Sequence, residues 1–248
     1  MFGVPNRTEF DIRFRLLGIP VRISPFFWVA AAFLGSEIRD GTLFLLWIVA
    51  VLLSILVHEF GHALSARLFG QSPEVVLYEF GGLCVYEPYR ERPWRRFVVV
   101  LLGPTAGFVL AALVTAGLAA RYGVSLVDAF QLDFVPDNRT LVAFCAFLVQ
   151  INVSWGLLNL LPIYPLDGGQ MAQIALIQFK RDSGLRWSHV LSLVCAGLAA
   201  VYLAQRSSYI TAIMFGLLAF RSYQVLQSLH YQSRYGDAFE DDENWWKR

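Results

Sequence analysis

The feature that most constrains this chain is a succession of apolar runs, at roughly 25–36, 42–69, 97–120, 141–162, 188–204 and 209–229. A helix needs about 20 such residues to cross the hydrocarbon layer of a bilayer, and every run but the first approaches or exceeds that length. Across 248 residues, 56% are hydrophobic and 16% charged, with a mean hydropathy of +0.52. The fold expected is an all-α polytopic membrane protein of about six transmembrane helices. The first run is short: about a dozen residues rise only about 18 Å against a core near 30 Å, so a re-entrant or tilted helix is expected after the Ser24-Pro25 start signal.

Charge orients the helices. Twenty Lys+Arg against 19 Asp+Glu leave a net +1, too little for a nucleic-acid partner. With the N-terminus inside and six crossings, only Arg39, Arg121, Arg139 and Arg206 fall outside, so both termini are expected in the cytoplasm. A multi-pass protein of a prokaryotic cell (inner) membrane fits, and the late first apolar run argues against a removable signal. Cluster Arg90, Arg92, Arg95 and Arg96 reads as inside-retention charge, able to meet anionic lipid. Cys84, Cys145 and Cys195, odd in number, read as packing residues.

Two stretches carry β patterns. Residues 10–15 alternate apolar and polar, and Gly18-Ile19-Pro20 supplies a turn before Val21-Arg22-Ile23, so residues 1–23 read as an amphipathic hairpin on the membrane surface. A second hairpin is expected near 75–86, split by Gly81-Gly82. The remainder of 24–229 forms the transmembrane core, and 230–248 is a polar tail with Glu240-Asp241-Asp242-Glu243 before Trp245-Trp246.

Chemistry concentrates in the second run. His58-Glu59-Phe60-Gly61-His62 is a His-Glu-x-x-His motif, which sets two imidazoles on one helical face where they can chelate zinc. A charge in mid-membrane costs roughly 2.5–3.5 kcal/mol, so Glu59 needs compensation. Ser54, His58, Gly61, His62 and Ser65 form a small and polar stripe expected to face the interior, with Leu56, Phe60 and Leu64 elsewhere. Catalytic zinc usually takes three protein ligands. The end of the fourth run, Asn159 to Gly169, holds two prolines that break the helix and deliver Asp167, the candidate third ligand; a turn or cap residue is the bland alternative. Gly103 and Gly107 suggest close helix packing, and Gln150, Asn152 and Ser154 either an aqueous path or interhelical bonds. His189 and His230 read as ordinary interfacial histidines.

These motifs together, with Phe80-Gly81-Gly82 and Gly103-Pro104-Thr105-Ala106-Gly107 opening the third helix, resemble the site-2 protease family of intramembrane zinc metalloproteases over most of residues 10–170. Tyr164 departs from the pattern of close relatives. The resemblance implies one Zn2+ per chain on His58, His62 and Asp167, Glu59 as general base, and Asn159 with Phe80, Gly81 and Gly82 at the substrate peptide. It also implies hydrolysis of a peptide bond in or near a transmembrane segment of a membrane-protein substrate, for regulated intramembrane proteolysis or signal-peptide clearance, in a minimal form without PDZ or CBS module. The partners expected are that substrate and the lipid bilayer. Competing readings are a proteolytically inactive zinc-binding scaffold, disfavoured by the intact Glu59, and an ion transporter, which would string ionisable residues along several helices.

Overall fold

Leu17 and Gly18 both adopt positive φ, 49° and 78°, the two-residue turn whose twist matches a hairpin. They join β1 (Ile12–Leu16) to β2 (Ile19–Ile23) in antiparallel register, Phe14 opposite Val21. The turn thus falls one residue earlier than Gly18-Ile19-Pro20 suggested, and Ile19 and Pro20 belong to β2. In this computed structural model residues 7–86, 92–180 and 183–242 are described, beyond Gln232 by backbone alone. Arg90 and the Trp245-Trp246 pair lie outside them.

The second hairpin is β3 (Glu74–Tyr78) and β4 (Gly81–Val85). Its turn is Glu79-Phe80, not Gly81-Gly82: Tyr78 pairs with Gly81 and Leu77 with Gly82, so both glycines stand within the strand. The hairpins are not separate. Strand β2 pairs in parallel with β3, Val21 opposite Val75 and Ile23 opposite Leu77, giving one mixed sheet in the order β1-β2-β3-β4. Parallel neighbours require a crossover, which is here the helical pair α1 (Pro25–Leu34) and α2 (Gly41–Leu68). Val21, Ile23, Val75 and Leu77 pack with Phe27 of α1 and Val51, Ile55 and Phe60 of α2 in one buried cluster.

Helix α1 starts where Ser24-Pro25 indicated, the Ser24 hydroxyl accepting from the Phe26 amide at 3.3 Å. Its ten residues rise about 15 Å, and Gly35 ends it. Helix α2 is capped by Asp40, whose carboxylate accepts from Leu43 N at 2.9 Å. After it come α3 (Pro93–Tyr122), the short α4 (Leu126–Gln131) and α5 (Arg139–Asn159). The Gly103 to Gly107 motif lies inside α3 rather than at its opening, because Pro93 takes the first helical position.

The chain divides into two compact units, 1–159 and 160–248. The second comprises α6 (Asp167–Phe179), α7 (Gly184–Gln205) and α8 (Tyr209–Asp242). Residues 230–242 of the expected tail therefore continue α8. Among the described residues five helices are long and apolar enough to cross a membrane, namely α2, α3, α5, α7 and the Tyr209–Gln232 part of α8. The sixth expected span corresponds to α1, an apolar helix of ten residues that is shorter than a crossing needs.

The sheet is fixed by charge as well as packing. Arg22, 2% exposed, stands opposite Arg13 in the register, a repulsive pairing that Asp11 relieves by meeting Arg22 at 3.1 Å and Arg13 at 3.7 Å. Hydrogen bonds from the Thr8 hydroxyl and amide, with Arg22 alongside, hold the Asp11 carboxyl down from 3.8 to about 2. A depressed carboxyl contributes stability that is complete above its ordinary pKa and lost as pH falls through the folded value. Asp11→Asn should therefore lower the thermal midpoint by a few degrees at pH 7, and the difference from the native chain should close as pH falls from about 4 towards 2, as followed by circular dichroism in detergent.

Candidate metal and catalytic site

Four-residue spacing in α2 brings His58 and His62 onto one face, and both are buried, at 3% and 7% exposure. Ser54 and Ser65 of the same stripe are buried too, as expected. Phe60, on another part of the circumference, is also covered, because the sheet packs there. Ser65 closes its hydroxyl onto the Gly61 and His62 carbonyls, both at 2.8 Å.

The His62 ring is oriented by one bond. Its Nδ1 lies 2.8 Å from the carbonyl oxygen of Val99 in α3. A carbonyl can only accept, so Nδ1 carries the proton and donates, which leaves the Nε2 of a neutral His62 with a lone pair. That Nε2 stands 3.3 Å from Nε2 of His58. Two nitrogens held at 2.0–2.1 Å from a tetrahedral zinc are about 3.3 Å apart, so spacing and tautomer both fit a divalent metal. A carbonyl partner behind a metal-binding imidazole is the usual way its orientation is set.

Two glycines make room for these groups. A Cβ on Gly103 of α3 would run into the His62 ring, and one on Gly82 of β4 would run into the Glu59 side chain. Gly82 thus places a strand against the carboxylate between the two histidines, while Gly81, at φ 114°, lies against the Trp155 ring of α5. Asn152 of α5 donates to Ser54 at 2.8 Å and to its own Leu148 carbonyl, tying α5 to the site helix. Of the two roles open to Gln150, Asn152 and Ser154, Asn152 takes the interhelical bond, and the other two are exposed.

The remaining candidates are placed as follows. Asn159, the last residue of α5, is buried, and its amide donates to the Trp155 carbonyl at 3.0 Å. Phe80 occupies the hairpin turn, 58% exposed, edge-on to Tyr78. In the second unit Asp167 is the first residue of α6, at 7% exposure. His230 is exposed, whereas His189 is buried at 3% beside the Tyr164 ring.

A family model described as peptidase family M50 matches residues 46–203, which include the histidine motif and Asp167. The chain belongs to this family. The M50 assignment bears out the resemblance to site-2 proteases drawn from the motifs. The chain is 28% identical over 170 residues to a Synechocystis protein provisionally named a zinc metalloprotease, covering 63% of this chain and 41% of that one. It is 24% identical over 227 residues to a protein named zinc metalloprotease from Methanocaldococcus jannaschii, covering 89% and 58%, and 28% identical over 179 residues to stage IV sporulation protein FB of Bacillus subtilis, covering 71% and 53%. The chain thus spans about two to three fifths of these relatives. The solved site-2 protease from Methanocaldococcus jannaschii shares its fold, with a TM-score of 0.56 at 18% identity over 88% of this chain and 95% of that one. M50 membership and the apolar helices make this a multi-pass integral membrane protein.

Motif reading missed the Val99 carbonyl, since a backbone acceptor leaves no mark on the sequence. Gly103 allows the close helix packing its spacing suggested, and the group it makes room for is the His62 ring. Gly103→Ala should displace that ring and weaken metal binding by about 10-fold or more, the range for disturbed supporting contacts, read by chelator competition on the purified, folded variant.

Proposed function

We propose that this protein is a zinc metalloendopeptidase that hydrolyses a peptide bond in or near the transmembrane segment of a membrane-protein substrate. The observation that carries the reading is Glu59, buried between two histidines whose Nε2 atoms stand 3.3 Å apart, on a helix long enough to span the bilayer. His58, His62 and Asp167 would hold the ion: two imidazoles and one carboxylate are a donor set that zinc takes with a position left open. Zinc, when bound, supplies Lewis acidity, lowering the pKa of water towards ~7 and polarising a carbonyl.

The chain's own residues do the rest. Glu59 accepts the proton released from the attacking water and returns it to the departing amine. The Val99 carbonyl holds His62 in the required tautomer, and Gly82 leaves Glu59 room. Asp167 adds a negative charge that offsets part of the ion's.

A helical substrate hides its carbonyls in backbone hydrogen bonds, so it must unwind locally before attack. Strand β4 is an edge of the sheet, with Gly82 beside Glu59. It suits an unwound segment that adds as a further strand, with Phe80, Gly81 and Asn159 nearby in the first unit as binding residues. The positive-inside rule supports a cytoplasmic location for the site end of α2, since Arg67 ends that helix and Arg92, Arg95 and Arg96 follow it.

Metal analysis and a reconstituted cleavage assay test this. About one zinc per chain is expected, lost in His58→Ala and Asp167→Ala and kept in Glu59→Gln, while Glu59→Gln lowers kcat by about 10²–10⁴-fold. Native protein that holds no zinc after metal-replete purification would overturn the reading. For strand addition, proline at alternate substrate positions beside the scissile bond should slow cleavage by removing ladder donors; unchanged rates at every position would exclude it.

A further inference from the structure

The second unit holds two polar residues buried completely between membrane-length helices. Ser192 of α7 is 0% exposed and Ser222 of α8 is 1% exposed, and their hydroxyls meet at 2.8 Å. Apolar packing alone would serve two helices in lipid, so hydroxyls at full burial call for a partner that needs them. That partner is the segment leading to Asp167: the backbone amide of Tyr164 donates to Ser192 Oγ at 2.8 Å. His189, one turn earlier on the same face of α7, takes the edge of the Tyr164 ring, centroids 5.2 Å apart. One turn of α7 therefore fixes both the backbone and the side chain of Tyr164.

The fixed point is transmitted to Asp167 by close backbone packing. A Cβ on Gly168 would strike the Leu160 and Leu161 carbonyls, and one on Gly169 would strike the backbone of Ile163 and Tyr164. The first turn of α6 thus lies directly on residues 160–164. Further bonds close the segment: Leu166 N to the Ile163 carbonyl at 2.8 Å, Ile163 N to the Leu161 carbonyl at 2.7 Å, and Gln170 Nε2 to the Pro165 carbonyl at 3.1 Å. Ile163, 1% exposed, anchors it from within. A shift of the Tyr164 amide cannot be absorbed locally and must move the start of α6.

We propose that Ser192, supported by Ser222, is a positioning residue that sets the place of Asp167 through the Tyr164 amide, so that α7 and α8 tune the metal site through the backbone of 160–166. This rests on the reading of Asp167 as a zinc ligand. Where Ser192 donates its proton to Ser222, its oxygen becomes a stronger acceptor for Tyr164, so the second serine reinforces the first.

The test measures zinc affinity of the full-length protein by competition with a chromophoric chelator, together with kcat and KM. Ser192→Ala should weaken zinc about 10-fold, as removal of supporting contacts does, and lower kcat with KM nearly unchanged. Ser222→Ala, which keeps the Tyr164 acceptor and serves should Ser192→Ala fail to fold, should show a smaller loss of the same sign. Phe215→Ala, a buried residue of α8 two turns from Ser222, loosens the helix pair without touching the hydroxyls and should leave zinc affinity of the folded protein intact. Native affinity in both serine variants, or an equal loss in Phe215→Ala, would overturn the proposal. Zinc retained in Asp167→Ala would instead overturn the ligand assignment; zinc lost there but kept in the serine variants would sink the positioning role alone.

Discussion

The structure depends first on the burial of one carboxylate and two imidazoles in a helix that is otherwise apolar. Groups buried this fully must find partners within the protein, because apolar surroundings offer none. The solution is local and mostly backbone. One carbonyl of α3 pins His62, a glycine of α3 makes space for its ring, and a glycine of β4 makes space for Glu59. The neighbours of α2 are thereby selected: α3 must approach with Val99 and Gly103 towards the motif, and β4 must bring Gly82 against the carboxylate. Substituting either glycine by a larger residue conflicts with the chemistry before it conflicts with the packing.

The mixed sheet follows from the same requirement. Strand β4 reaches Glu59 only because β3 is held by β2, and β2 is held by the buried Arg22 with its carboxylate partners and by the cluster that Val21 and Ile23 form with α2. The helical pair α1 and α2 is the crossover between the parallel strands, so the site helix also connects the sheet that serves it. Helix α1 can be short because its place is set by Phe27 and Ala31 packing within this arrangement, with the Trp47 indole of α2 donating to the Ala31 carbonyl at 3.0 Å. It has no need to cross the bilayer unaided.

What the sequence made legible is what is local. Apolar run length placed α2, α3, α5, α7 and the start of α8 to within a few residues, and the four-residue spacing of His58 and His62 set their common face. The motif resemblance located the family. Parallel pairing of β2 with β3 was not legible, since it joins residues some 50 positions apart and alternation specifies only the two strands, not their neighbours. Gly81 and Gly82 were read as a turn on propensity, but the turn went to Glu79-Phe80 because the glycines were needed for close approach to Trp155 and Glu59. Helix α6 was missed because two glycines and a preceding proline look like a loop; those glycines allow its first turn to sit on the backbone of 160–164. The contact of His189 with Tyr164 was not legible either, since it joins residues 25 positions apart.

In a membrane the apolar residues cannot by themselves decide which helices pair, since lipid solvates leucine as well as leucine does. The discriminating contacts here are the few polar and glycine ones. Within the first unit Asn152 reaches Ser54, and a Cβ on Gly107 would lie 3.0 Å from the Asn152 side chain, so α2, α3 and α5 meet around one amide. Within the second, Ser192 meets Ser222 and joins α7 to α8. Each such bond lies on a segment that also carries a candidate ligand or its neighbour: Ser54 is one turn before His58, and Ser192 holds the strand of backbone that leads to Asp167. In the proposed reading, helix pairing and placement of the candidate metal donors are specified by the same residues, so a change that alters one should alter the other.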